Sequence, residues 1–199
     1  MSSISDIAQA PTAPIYHQKQ SLLLCAVHAI NNVLQFEAVN KKSMDAICSS
    51  LSPGSSWTNP HRNILGLGNF DVNVLILALQ ENGHDVVWFN RQKSMTEYNL
   101  NWDLITGFIL NTGRKWLSPI PLTSHHWIAF RGFPSPGGDR FQYYDLDSKL
   151  PSPLLVASSH AEFATYIENR LNGSSSSQLL IVAPKEVVSD RTWTLTKAS

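Results

Sequence analysis

Two β-type segments, HHWIAFRGF (125–133) and DRFQYYDLDS (139–148), are separated only by PSPGG (134–138). A Pro/Gly-rich turn this short makes the pair an antiparallel hairpin. The remaining segments are then read around it. CAVHAINNVLQF (25–36) puts Ala26, Ala29, Ile30, Val33 and Leu34 on one stripe at helical spacing. SMDAICSSL (43–51) predicts a second helix with Ser43 as its N-cap, ending before the turn-rich SPGSSWTNPHRNILGLG (52–68). DVNVLILALQENG (71–83) predicts a third, opened by Asp71 and stopped by Gly83. DVVWFN (85–90) reads as a buried strand and WDLITGFILNT (102–112) as ambiguous, with helix favoured. HAEFATYIENRLNG (160–173) reads as a helix and QLLIVAP (178–184) as a last buried strand. Helical patterns come first and strands cluster late, so the fold class is α+β rather than a regular βαβ winding.

With 199 residues the chain is long enough for one sizeable core and short for two. Fifteen Lys and Arg balance fifteen Asp and Glu, which leaves no basic footprint for nucleic acid and no polybasic patch for a membrane. The longest apolar runs, LLLCAV (22–27) and VLILAL (74–79), are too short to span a bilayer. MSSISDIAQAPTAP (1–14) lacks the charged and apolar regions of a secretory signal and is expected to be a flexible leader. Two cysteines, Cys25 and Cys48, make no disulfide framework, and with the scattered histidines they show no zinc spacing. The expectations are a reducing compartment (cytoplasm, with the nucleus as a second setting), a monomer, and no metal or cofactor.

Cys25 opens the first predicted helix, where the positive end of the helix dipole favours a thiolate. Core packing is the competing reading, because free cysteine is among the most buried residue types. A nucleophilic cysteine needs a histidine partner. His28 lies three residues on, but its side chain points back along the helix, away from an incoming carbonyl. The hairpin offers a better candidate. With Phe133 and Arg140 as paired ends, residue i faces residue 273 − i, so Phe130 faces Tyr143, Ile128 faces Asp145 and His126 faces Asp147. Such partners share a side of the sheet, so the Asp147 carboxylate would fix the His126 ring. His125 would face the other way. Gln20, five residues before Cys25, is read alone as a solvated loop residue. Beside Cys25, His126 and Asp147 it becomes a side-chain amide for an oxyanion.

These residues resemble the Josephin domain, a papain-like cysteine deubiquitinase. The likeness is carried by IYHQKQSLLLCAVHAINNVLQ (15–35), NPHRNILGLGNFDVNVLILALQ (59–80), HWIAF (126–130) and YYDLDSKL (143–150). It runs from about Ile15 to about Val188, implying a catalytic domain over 15–188 and a C-terminal tail over 189–199, as in the short, stand-alone members. Gln18 stands where a glutamate is usual and Asp145 where asparagine is common. Neither position carries a catalytic role in the resemblance. What it implies is a papain-like fold, with a helical N-terminal part packed on an antiparallel sheet. Cys25 would be the nucleophile, His126 the acid and base, Asp147 the orienting group and Gln20 the oxyanion donor. The substrate would be the bond after the last glycine of ubiquitin, with residues 40–68 as a flap over it and Trp57 as a contact or a loop anchor. A non-catalytic ubiquitin-binding module and a papain-like enzyme of other specificity are the competing readings.

Overall fold

The stripe that begins at Cys25 forms helix α1 (Cys25–Leu34), and all ten of its residues are buried. The computed structural model describes residues 14–51, 70–115, 123–135 and 141–195, with side chains throughout except at 113–115 and 123–125. Helix α2 (Lys41–Leu51) starts two residues earlier than its predicted cap. Asn40, not Ser43, caps it: the Asn40 carboxamide oxygen accepts the Ser43 amide at 3.0 Å. Helix α3 (Val72–Glu81) is opened as expected, Asp71 accepting the amides of Asn73 and Val74. Gly83 follows it at φ +75°, a left-handed conformation that glycine adopts without strain.

Six strands form one antiparallel sheet: β1 (His84–Trp88), β2 (Gly107–Lys115), β3 (Thr123–Pro134), β4 (Phe141–Asp145), β5 (Leu154–Ala157) and β6 (Gln178–Pro184). Their spatial order is β1-β6-β2-β3-β4-β5. Helix α4 (His160–Asn172) precedes β6 and the short α5 (Lys185–Ser189) follows it. Past α5, the Leu195 amide bonds Asn99 and the Asn101 amide bonds Trp193, returning the chain end to the 99–101 loop.

The WDLITGFILNT segment corrects the helical expectation. Only Trp102–Leu104 turns, as a 3₁₀ helix, and β2 follows from Gly107. The reason lies in the layers. Ile109, Trp127, Ala129, Tyr144, Leu180 and Val182 pack against α1, α2 and α3. Their strand neighbours Phe108, Leu110, Ile128, Phe130, Tyr143 and Ile181 pack against α4. A strand covered on both faces is apolar at successive positions, and periodicity then cannot separate it from a buried helix.

The hairpin register also differs from the one expected. Phe130 pairs with Asp145 and Phe133 with Gln142, so paired residues sum to 275 rather than 273. Pro134 pairs with Phe141, so the pairing is offset along the hairpin with the same number of residues between its ends as assumed. A slip of two preserves which face each side chain takes, where a slip of one would reverse it. His126 therefore has no ladder partner on β4, which ends at Asp145, and it pairs instead with Thr112 of β2.

Gly107 marks where β2 passes under α1. A Cβ there would lie 2.6 Å from the Phe130 carbonyl oxygen and 2.6 Å from Val33 Cγ2. Gly107→Ala is expected to lower stability by about 1–3 kcal/mol through overpacking. Urea unfolding reads this as a lower midpoint at constant m-value, and an unchanged midpoint would contradict it.

Candidate active site

Helix α1 delivers Cys25 at its first residue, 5% exposed. The N-cap residue is Leu24, which offers no side-chain hydrogen bond to the first turn. No capping side chain therefore competes for the positive end of the dipole at Cys25. The polar face of the helix is turned to the segment before it. His28 Nδ1–H donates to Gln18 Oε1 at 3.0 Å while its Nε2 accepts the Ser21 amide at 3.2 Å. A ring that accepts at one nitrogen is neutral, and burial lowers the His28 pKa accordingly. Asn31 Nδ2 donates to the same Gln18 oxygen, and Asn32 exchanges bonds with the Gln18 backbone. Gln35 does the same for Tyr16. Residues 16–21 are thus strapped along α1. Both ring nitrogens of His28 are engaged by this strap.

Strand β3 carries His126 and the turn after β4 carries Asp147. His126 Nε2–H donates to Asp147 Oδ1 at 2.7 Å. Cys25 is the second side chain that hydrogen-bonds the His126 ring. Burial alone would lower the His126 pKa, but the hydrogen bonds and charges of Asp147 and Cys25 outweigh it and raise it to about 9. Burial would raise the Asp147 pKa, yet the bonds from His126 and the Lys149 amide, with the charges of His126 and Lys149, hold it below the ordinary value. The arrangement favours imidazolium beside carboxylate at neutral pH.

The turn holding Asp147 is fixed from the strap and from α1. The carbonyl of Leu146 accepts from Asn32 Nδ2 at 2.9 Å, that of Asp147 from His17 Nε2 at 3.1 Å, and that of Ser148 from the Gln20 amide at 2.7 Å. Gln20 is placed beside this turn. Its Nε2 donates to the Leu22 carbonyl at 3.2 Å and its Oε1 accepts from Ser148 Oγ at 3.5 Å. A carboxamide carries two N–H groups, so one remains for a further acceptor. Leu22, at φ +52°, is in the left-handed region, a cost of about 1–2 kcal/mol for a residue with a Cβ.

Cys25, His126 and Asp147 are therefore brought together in a line, and Gln20 is bonded to the neighbour of Asp147. The His125 side chain, Trp57 and residues 52–68 of the expected flap lie outside the described residues, while α2 buries Met44, Ile47 and Cys48 in the core. Sequence reasoning missed His17, Asn32 and Ser148 as supports. The signal was available for Asn31 and Asn32, polar residues adjoining the apolar stripe of a helix. Among the described residues no three His, Cys, Asp or Glu side chains gather as metal ligands would. Nor is any described helix long and apolar enough to cross a membrane.

Comparison with known proteins gives the family. The Josephin family model matches residues 20–181, most of the chain. The chain belongs to the Josephin family. It is similar to Josephin-2 of Homo sapiens, 37% identical over 189 residues that cover 94% of this chain and 95% of that protein. Josephin-2 of Mus musculus is 37% identical over 195 residues, covering 94% and 98%. A Josephin-like protein of Drosophila melanogaster is 36% identical over 162 residues, covering 79% and 69%. The Josephin fold is a deubiquitinase-type cysteine-protease fold, and the helices over a six-stranded antiparallel sheet are its α+β, papain-like architecture.

Proposed function

We propose that this Josephin protein hydrolyses isopeptide or peptide bonds at the C-terminal glycine of ubiquitin. The observation that carries the reading is the Cys25–His126–Asp147 line in a Josephin chain. The Cys25 thiolate attacks the glycine carbonyl carbon, and the carbonyl π pair moves to oxygen. The Gln20 amide N–H and the Cys25 backbone N–H stabilise that oxyanion. As the intermediate collapses, the His126 imidazolium gives its proton to the leaving amine, and a thioester remains on Cys25. His126, now neutral, takes a proton from water, and the resulting hydroxide attacks the thioester. The products are the ubiquitin carboxylate, whose acid proton passes to solvent, and the restored thiolate–imidazolium pair. Asp147 keeps the ring aimed through both halves. We place the reaction in the cytoplasm, with the nucleus as a second setting, where the buried thiols of Cys25 and Cys48 stay reduced.

The test is reaction of the protein with ubiquitin carrying an electrophile at its C-terminus. The expected product is one adduct per chain by intact mass, mapped to Cys25. No adduct despite ubiquitin binding would make the protein a binding module. Labelling only by another modifier's probe would change the substrate.

A further inference from the structure

The turn that presents Asp147 begins where β4 stops. The Leu146 amide still bonds Ala129 of β3 at 2.8 Å, but the Asp147 amide has left the ladder. Its acceptor is Asp145 Oδ1 at 2.9 Å. Two residues on, Asp147 Oδ1 accepts the Lys149 amide at 2.9 Å while also holding His126. These are two successive Asx turns, each side chain bonding the amide two residues ahead. The first turn orients the backbone from which the second is built.

Asp145 is 3% exposed, a costly place for a carboxylate unless its oxygens are satisfied. The second oxygen is met by helix α4: the Tyr166 hydroxyl donates to Oδ2 at 3.3 Å, and Arg170 Nη2 lies 3.8 Å from it. Burial and the nearby Asp147 charge work against ionisation there, while the Asp147 amide, Arg170 and Tyr166 favour it. The Asp147 amide, off the ladder, requires an acceptor, and Asp145 Oδ1 supplies it.

We propose that Asp145 is a positioning residue: held by Tyr166 and Arg170, it fixes the Asp147 backbone and so aims the Asp147 carboxylate at His126. This rests on the hydrolase reading above for its kinetic consequence only. Loss of the first turn removes the acceptor of the Asp147 amide and leaves the turn held through its carbonyls, and a misplacement of about 1 Å at an orienting group can cost about 100-fold in rate.

The experiment compares Asp145→Ala and Asp145→Asn on ubiquitin with a fluorogenic C-terminal amide, alongside the downfield NMR resonance of the His126 Nε2 proton. In Asp145→Ala, kcat is expected to fall about 10–100-fold with KM within about twofold, and the resonance to broaden or vanish. Asp145→Asn keeps an acceptor oxygen and is expected to stay within about threefold of wild type with the resonance intact. If Asp145→Ala does not fold, Asp145→Leu, of similar volume and without an acceptor, takes its place. The proposal is overturned if the folded acceptor-free variant keeps wild-type kcat and resonance. A loss in Asp145→Asn of more than about tenfold overturns it equally, since the retained acceptor should rescue. If wild type itself does not turn over, the hydrolase reading fails, and the resonance alone decides the positioning role.

Discussion

Cys25→Ala is expected to abolish hydrolysis of a ubiquitin C-terminal amide, a loss on the order of 10⁵-fold or more, as when a nucleophile acting in a catalytic unit is removed. The fold should survive. The change removes one sulfur atom from a buried position and substitutes the best helix former at the first residue of α1. Circular dichroism and the thermal midpoint serve as controls. Cys48 supplies the internal comparison, because it is the other thiol and is 1% exposed on the buried face of α2. Cys48→Ala should leave kcat/KM unchanged. His126→Ala should be nearly as inert as Cys25→Ala, since His126 interacts with both Cys25 and Asp147. Residual turnover above about one part in a thousand in folded Cys25→Ala would show that another nucleophile acts.

The line Cys25–His126–Asp147 was reached from sequence by way of a register that the structure does not have. The assumed pairing set Phe133 against Arg140, whereas Phe133 pairs with Gln142. His126 and Asp147 are not opposite one another on a ladder at all. They meet because β4 ends at Asp145 and the chain turns back toward β3 through two Asx turns. An even slip kept the two side chains on compatible sides, which is why a wrong register led to a contact of 2.7 Å. Local chemistry was legible where one rule dominates: Asp71 as a cap, Gly83 as a stop, and β6 over residues 178–184. It was illegible where burial on both faces removed the period, as in GFIL at the start of β2. The support of the candidate site was hidden for a third reason. His17, Asn32 and Ser148 act on the carbonyls and side chains of distant residues, and no local pattern specifies a partner 130 positions away, as for His17 and Asp147.

Asp147→Ala should cost about 10²–10⁴-fold in kcat/KM, the range set by an acid–base group losing its orientation and charge partner. Its signature lies in the pH profile. The His126 pKa is raised from 6.5 to about 9, so the imidazolium that protonates the leaving amine persists to that pH. The alkaline limb of kcat/KM should accordingly fall near pH 9 in wild type. The same shift contributes stability that is fully present below pH 6.5 and is lost as pH rises through about 9, because the folded state holds the proton more tightly. Asp147, held below its ordinary value, contributes in the opposite window: its share is present above pH 3.8 and lost as pH falls through the folded value. Removing the carboxylate deletes one hydrogen bond and one charge that hold the imidazolium. The alkaline limb of Asp147→Ala should move to lower pH, and its loss of stability between pH 6.5 and 9 should shrink. Asp147→Asn keeps an acceptor without the charge and should fall between the two. The Cys25 contribution remains in both variants, so neither limb need drop to 6.5. A kcat/KM profile whose alkaline limb is identical in wild type and Asp147→Ala would mean that the carboxylate does not hold the proton on His126, and that Asp147 acts through packing alone.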